Sequence, residues 1–274
     1  MILKHIIPKP ALQPYIDSFW VFESDFGVPV TSSRVIVPSG KAKIIIPYKN
    51  PLFANCKSFS KESKENHIHF VGAWDEPVVI SSHTRETGTI IIQLLPKGAY
   101  RFADFALHEL TNQLFTFDEL YGQQGKDIQN RIADTGDVIQ KIELIQLFLI
   151  GKLNQLNQNQ SIVDYVTEMI VHTHGLMEIN QLVKKTGYSK RYIDLLFQRY
   201  IGLSPKTLAA VTRFQKFYSL WANRNSPDFY KDDLYNFYYD QSHFIKEFKN
   251  FTGGYSPTQY AEVNNDFGRI FYRR

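Results

Sequence analysis

The sequence predicts an α+β chain: a β-rich N-terminal domain carrying helices at its end, then an all-α domain. Three observations predict it. Short β-branched and aromatic runs separated by turn residues fill residues 1–98. From about residue 99 the apolar spacing changes to three and four. Within 178–257 one helical unit occurs twice. At 274 residues two domains are the natural expectation, with the division at 157/158.

The strand candidates are Phe19–Phe22, Arg34–Val37, Lys43–Ile46, His67–Val71, Val78–Ile80 and Thr89–Leu94. Pro38-Ser39-Gly40, Pro47, Gly72, Asp75-Glu76-Pro77 and Gly88 punctuate them. That spacing suggests a sandwich or small barrel. Pro10 to Ile16 is a candidate short helix leading in. Ala99–Leu107 and Thr116–Tyr121 are short helix candidates. Gly136–Leu156 is a longer one, with Val138, Ile139, Ile142, Ile145, Leu149 and Leu153 on a broad apolar stripe. That stripe must pack on its own domain or on a partner. Residues 154–160 are a polar linker. Ser161 is the expected cap of a helix through Ile170, with Asp164 at the capping-box position.

The repeat is seen by laying residues 187–202 over those 51 positions later. Tyr188 meets Tyr239, Ser189 meets Asp240, Ile193 meets Phe244, Phe197 meets Phe248 and Gly202 meets Gly253. Each copy ends in Ser-Pro, at Ser204-Pro205 and Ser256-Pro257. Ser189 and Asp240 suit N-caps, the two glycines suit the position after a helix, and Ser-Pro opens the next one. Ile193, Leu196, Phe197 and Tyr200 form one apolar face; Phe244, Phe248 and Phe251 form the other. A short amphipathic helix, Glu178–Thr186, precedes the first copy and stops at Gly187. A short helix, a glycine turn and a second helix with a polar outer face is the helix-turn-helix pattern. Pro205–Arg224 then reads as one helix of about 20 residues, roughly 30 Å long. Its Leu208, Val211, Phe214, Tyr218 and Trp221 share a face, so Trp221 is read as core.

Charge follows the same division. Residues 1–159 hold sixteen basic and sixteen acidic side chains, whereas 160–274 hold fifteen and eleven. Between Leu182 and Arg224 nine Lys/Arg face one acid, Asp194. A local excess of eight positive charges suits a polyphosphate duplex through counterion release.

On these residues the chain resembles the AraC/XylS-type transcriptional regulators. The resemblance covers about residues 160–262. It is carried by Gly187-Tyr188-Ser189-Lys190-Arg191-Tyr192 with Phe197, by Gly202-Leu203-Ser204-Pro205, by Tyr239-Asp240-Gln241-Ser242-His243-Phe244 with Glu247-Phe248-Lys249, and by Ser256-Pro257-Thr258-Gln259-Tyr260. It implies two helix-turn-helix units, about 178–202 and 228–253, joined by a long helix. The family usually places a cupin-like barrel or an unclassified β-domain at the N-terminus. The run from Trp20 through Pro38-Ser39-Gly40, Gly72 and Gln93–Gly98 resembles the second type. One departure stands out. Asp228–Phe237 lacks the small residue near Asp233 and the glycine near Phe237, and 225–274 has a net charge of −1.

Helix geometry and the resemblance together put Ser189, Lys190, Arg191, Asp194 and Leu195 of the first unit toward the groove. Gln241, Ser242, Ile245 and Lys246 follow from the second. Arg191 suits guanine, Gln241 adenine or a phosphate, and Leu195 or Ile245 a thymine methyl. Asp194 accepts from cytosine or pairs with Arg191 three residues earlier. Lys184, Lys185, Arg199, Lys206, Arg213 and Lys249 read as phosphate contacts or solubility charges.

The expected function is sequence-specific DNA binding by a transcriptional regulator. Its N-terminal domain would sense a small-molecule effector or mediate homodimer formation, and its partner is double-stranded DNA. Trp20, Trp74, His67 and His69 are candidate effector-pocket residues. The competing expectation is a cupin-type ligand- or metal-binding protein whose helical half is an interaction module. His67 and His69 alternate along a strand, but no carboxylate follows at metal-site spacing. No phosphate-binding glycine loop, Gly-x-Ser-x-Gly or His-Glu-x-x-His occurs, so neither enzyme activity nor a cofactor is expected. The single Cys56 excludes an intrachain disulfide and a cysteine zinc cluster. The start is too short and too soon broken by Pro8 for a signal peptide, and no apolar run reaches membrane-helix length. A reducing cytoplasm is the expected location.

Overall fold

The computed structural model describes residues 2–28, 35–58, 60–156, 160–222 and 236–262. It is α+β: an antiparallel β-rich N-terminal part, then a helical C-terminal part. Among the described residues ten strands form two sheets. They are β1 (Ile2–Ile6), β2 (Ile16–Ser24), β3 (Val35–Ile36), β4 (Lys43–Lys49), β5 (Phe53–Asn55), β6 (Ser60–Glu62), β7 (His69–Val71), β8 (Val78–Ser81), β9 (Thr87–Leu94) and β10 (Leu114–Thr116). The larger sheet has the order β1-β2-β9-β4-β7-β10 and the smaller β3-β8-β5-β6.

The central strands are apolar on both faces, and period two sorts them. Ile90, Ile92 and Leu94 of β9, Ile44 and Ile46 of β4, and Phe70 of β7 join the helix-side core. Their neighbours Ile91, Ile45 and Val71 turn the other way and pack with residues of the smaller sheet, Ile36 and Val78 among them. The smaller sheet and the helices therefore sandwich the larger sheet. Among the described residues neither sheet closes into a barrel.

All six expected strands form, with boundaries moved by a few residues. Four more, β1, β5, β6 and β10, do not stand out in the sequence. The exposed Ser60–Glu62 offers no apolar alternation. The expected helix at Pro10–Ile16 is instead a chain of turns, Leu12 N–H to Lys9 O at 2.8 Å and Tyr15 N–H to Leu12 O at 2.9 Å. Pro14, lacking an N–H, stops the ladder.

Two 3₁₀ turns, Ala99–Arg101 and Leu107–Leu110, replace the expected helix Ala99–Leu107. Helix α1 (Phe117–Ala133) runs twelve residues past the expected Tyr121, because Gly122 absorbs a non-helical break at φ 56° and a second segment continues beyond it. Glu119 Oε2 accepts from the Thr116 N–H at 2.6 Å and from its hydroxyl at 2.9 Å, fixing the start. Helix α2 (Val138–Leu156) buries Ile142, Ile145 and Leu149. Its expected stripe is narrower than the sequence suggests, since Ile139 and Leu147 face outward. Two lysines go inward instead. The Lys141 ammonium donates to the Ile132 carbonyl at 2.5 Å, closing the end of α1. Lys152 donates to Gln124 Oε1 at 2.7 Å and lies 4.7 Å from the Tyr121 ring centre.

Six further helices follow among the described residues: α3 (Ser161–His172), α4 (Ile179–Thr186), α5 (Lys190–Tyr200), α6 (Pro205–Ala222), α7 (Gln241–Phe251) and α8 (Pro257–Glu262). Ser161 is the first helical residue rather than the cap. Asp164 does not close a capping box. It accepts from Tyr100 Oη at 2.8 Å and from Arg101 Nη2 at 2.5 Å, tying α3 to the β-rich part. One apolar cluster runs from the larger sheet through α1–α5 to Leu208 and Ala209 at the start of α6. A second, mostly aromatic, joins Val37 to Val211, Phe214, Phe217, Tyr218 and Trp221 of α6 and to Phe244, Phe248 and Phe251 of α7. Trp221 is core, as its spacing predicts.

Candidate nucleic-acid interface

Three local features build the surface that α4 and α5 present. Gly187 ends α4 in the left-handed region at φ 73°. Two residues later the Ser189 hydroxyl accepts from the Tyr192 N–H at 3.2 Å and opens α5. Ile193 and Phe197 are then buried, which forces the opposite face of α5 outward. Lys190, Arg191, Leu195, Gln198 and Arg199 are exposed there, beside Lys184 and Lys185 of α4. Asp194 is half-buried and forms no ion pair with Arg191, contrary to the i, i+3 expectation.

Helix α7 repeats this start. Asp240 accepts from the His243 N–H at 2.7 Å. Phe244, Phe248 and Phe251 go inward; Gln241, Ser242, Lys246 and Lys249 stay exposed. Ile245 departs from expectation: it is half-buried and packs against the aromatic core. Gly202 and Gly253 follow α5 and α7 at φ 89° and 77°. Ser204 Oγ accepts from Thr207 N–H at 3.0 Å, and Ser256 Oγ from Gln259 N–H at 3.3 Å, starting α6 and α8. The helix expected before α7 falls almost wholly at 223–235, outside the described residues, as do Arg224 and the departure at Asp228–Tyr235.

Helix α6 separates the two surfaces. Its 18 residues span about 27 Å. Lys206 is exposed at its start. Arg213 is neither a phosphate contact nor a solubility charge. Its guanidinium turns inward to Glu247 Oε2 of α7 at 2.5 Å and lies 5.2 Å from the Tyr238 ring centre. Burial, then the Glu247 charge, raises the Tyr238 hydroxyl above the usual tyrosine range, so the Arg213 cation neutralises this junction.

The β-rich part reaches α5 and α6 directly. Thr111 Oγ1 donates to the Gly202 carbonyl at 2.6 Å. Gln215 of α6 donates to the Pro38 carbonyl. Gly40 approaches α6 so closely that a Cβ there would lie 3.1 Å from Leu208 Cδ1. Tyr188 and Tyr192, absent from the expected groove set, are also exposed and lie together, ring centres 5.1 Å apart. Two tyrosines flanking the Ser189 cap were the available signal.

The four effector-pocket candidates do not share one site. Trp74 is buried with Val71, Val78 and Leu114. Trp20 stands half-buried against His5, ring centres 4.7 Å apart. His67 and His69 do stack, at 6.3 Å. Yet His69 is buried and its Nε2 accepts the Lys64 N–H at 3.0 Å. Burial lowers the His69 pKa to about 4. None of the four lines the groove of about 390 Å³ between α1 and α2, whose walls include Ile128, Leu144, Phe148 and Lys152. Among the described residues no three His, Cys, Asp or Glu side chains gather as a metal site would need. No helix among them is long and apolar enough to cross a membrane.

Residues 4–116 match a family model described as a domain of unknown function (DUF6597). No curated protein matches the sequence. Among solved structures, an apo lysine-to-alanine variant of ToxT from Vibrio cholerae is similar with a TM-score of 0.50 at 10% identity, over 89% of this chain and 97% of that one. Unsaturated-fatty-acid-bound ToxT from the same organism gives 0.48 at 12% identity, over 90% and 96%. The AraC-like transcriptional activator CuxR gives 0.26 at 12%, over 73% of each chain. At 10% identity the first of these likenesses speaks to fold: the β-rich part followed by helices is the ToxT architecture.

Proposed function

We propose that the chain is a sequence-specific DNA-binding transcriptional regulator. Residues 158–274 form its DNA-binding domain, with helix-turn-helix units at about 178–202 and 228–253; residues 1–157 sense a small molecule or join two copies. The observation that carries this reading is the pair α5 and α7. Both are opened by a Ser or Asp cap, turn an aromatic or aliphatic face inward and leave polar side chains outward; α5 ends just before α6 begins, and α7 packs on Phe214 and Phe217 of α6. Helix α6, which joins the two units, is about 27 Å long, against ~34 Å for one DNA turn. The ToxT-like fold and the motifs resembling AraC/XylS regulators agree with it.

In this reading Arg191 and Gln241 contact base edges, Ser189, Lys190, Ser242 and Lys246 contact bases or backbone, and Lys206 and Lys249 contact phosphates. Ile245 supports the aromatic core instead. Outward Ile139 and Leu147 of α2 support contact between copies of the chain.

The test is fluorescence anisotropy of the full chain against duplex DNA at several salt concentrations. Wild type is expected to bind with an affinity that falls steeply as salt rises. Arg191→Ala and Lys246→Ala are each expected to weaken binding about ten-fold, as loss of a base or phosphate contact does. An Arg191→Ala effect without a Lys246→Ala effect would make the second unit structural. No binding at low salt would refute the regulator reading.

A further inference from the structure

Helix α5 and the turn before it carry an exposed apolar patch that their charge does not explain. Leu195 is 57% exposed, Tyr188 47% and Tyr192 44%. Tyr192 and Leu195 lie three residues apart on one face of α5, and Tyr188, just before the cap Ser189, is brought onto Tyr192 by ring contact. The two tyrosine rings rest on each other at an interplanar angle of 33°. Lys184, Lys185, Lys190, Arg191 and Arg199 of the same two helices, α4 and α5, are exposed as well. An apolar partner for this patch must therefore sit inside a strongly anionic surface. On the major-groove edge of duplex DNA the thymine 5-methyl group is such a partner.

The second unit lacks the same patch. Fifty-one residues later Tyr188, Tyr192 and Leu195 become Tyr239, His243 and Lys246. Tyr239 and Lys246 are exposed, and the His243 ring is half in solvent. Where α5 offers a leucine, α7 offers an ammonium group; where α5 offers a phenol edge, α7 offers imidazole nitrogens.

We infer that the two units read DNA by different chemistry: α5 recognises thymine methyl groups through Tyr188, Tyr192 and Leu195, and α7 recognises hydrogen-bonding groups. This rests on the DNA-binding reading above. It adds Tyr188 and Tyr192 to the specificity-determining residues and assigns the first half-site a thymine-rich content.

The experiment starts from duplexes selected by the full-length protein. Each thymine is replaced in turn by deoxyuridine, which removes the methyl and leaves every hydrogen-bonding group in place. One or two positions in the first half-site are expected to weaken wild-type binding about three- to five-fold, the effect of losing one buried methyl. Leu195→Ala and Tyr192→Phe run beside it. Leu195→Ala is expected to bind thymine and uracil duplexes alike at one of those positions, a coupling read as a double-mutant cycle. Tyr192→Phe is expected to keep the full thymine preference, because the ring and not the hydroxyl makes the contact. Equal wild-type affinity for thymine and uracil duplexes, with binding itself intact, overturns this inference and leaves the DNA reading standing. A Leu195→Ala defect in self-association with unchanged DNA affinity also overturns it, making the patch a protein contact. Absence of binding to every duplex overturns both.

Discussion

His69 shows how one buried side chain sets a pH limit. Its Nε2 is committed to the Lys64 amide, and burial holds its pKa near 4, against about 6.5 when exposed. Between those values the unfolded chain binds a proton that the folded chain refuses. His69 therefore contributes fully above pH 6.5, and its contribution is lost as the pH falls toward 4. Urea unfolding at pH 7 and pH 5 should show wild type losing on the order of 2 kcal/mol more than His69→Gln, which keeps an acceptor but does not titrate. Parallel losses in the two proteins would rule out His69 as the source. None of this was legible in the sequence. His67-x-His69 looked like a ligand pair because alternation reveals which face a residue takes, but not which backbone amide waits there. Arg213 misled in the same way: a cation counted toward the basic surface is held inside by Glu247, thirty-four positions away.

At the scale of elements, local signals read well where both ends of a helix were marked. Ser189, Asp240, Gly187, Gly202 and Gly253 fixed α4, α5 and α7 because a cap or a left-handed residue acts within a turn of its own position. Elements whose cause lies elsewhere were missed. Strand β10 exists because Leu114–Thr116 pairs with β7, and α1 continues past Gly122 because Ile128 and Ile132 find a core. The junction after α5 offers an element-level test. Gly202 has φ 89°, and an added Cβ would lie 2.9 Å from the Leu107 carbonyl oxygen. Gly202→Ala should cost more than about 1 kcal/mol through backbone strain, and more again through the crowded contact. Differential scanning calorimetry should show a melting temperature lowered by several degrees. Gly187→Ala, also at positive φ but with nothing within 4 Å of the added Cβ, should lower it less. Equal shifts would mean that the conformation matters and the contact does not.

Across the whole molecule, the fold class followed from the change of period near residue 99, since period reports which side of each element is buried. What no period reports is how the parts meet. The helix-side core continues from Leu12 of the β-rich part to Leu208 of α6 without a break, and Tyr100, Arg101 and Thr111 hydrogen-bond across to Asp164 and Gly202. A structure so joined should unfold the β-rich part together with α3–α5. Urea titration followed by tyrosine and tryptophan fluorescence and by far-ultraviolet circular dichroism should give one coincident transition for that unit. Residues 158–274 alone should be less stable than the same residues in the full chain, because Leu107 and Leu110 no longer cover α5. Separate transitions, with the fragment as stable as in the full chain, would show that the junction contributes nothing.

The loop at Val37–Gly40 grips the first three turns of α6: Val37 enters the aromatic core, Gly40 admits Leu208 and Val211, and the Pro38 carbonyl takes the Gln215 amide. A rod clasped in this way has a fixed twist as well as a fixed length. If α5 and α7 sit on DNA, one base pair inserted between their half-sites turns the second by roughly 34–36° and shifts it about 3.4 Å, since a turn holds 10–10.5 pairs. While the clasp holds, the protein is a ruler that rejects such a spacing. An event in the β-rich part that opens the clasp would release α6 from that part while Phe214 and Phe217 keep α7 on it, leaving the helix alone to hold the spacing.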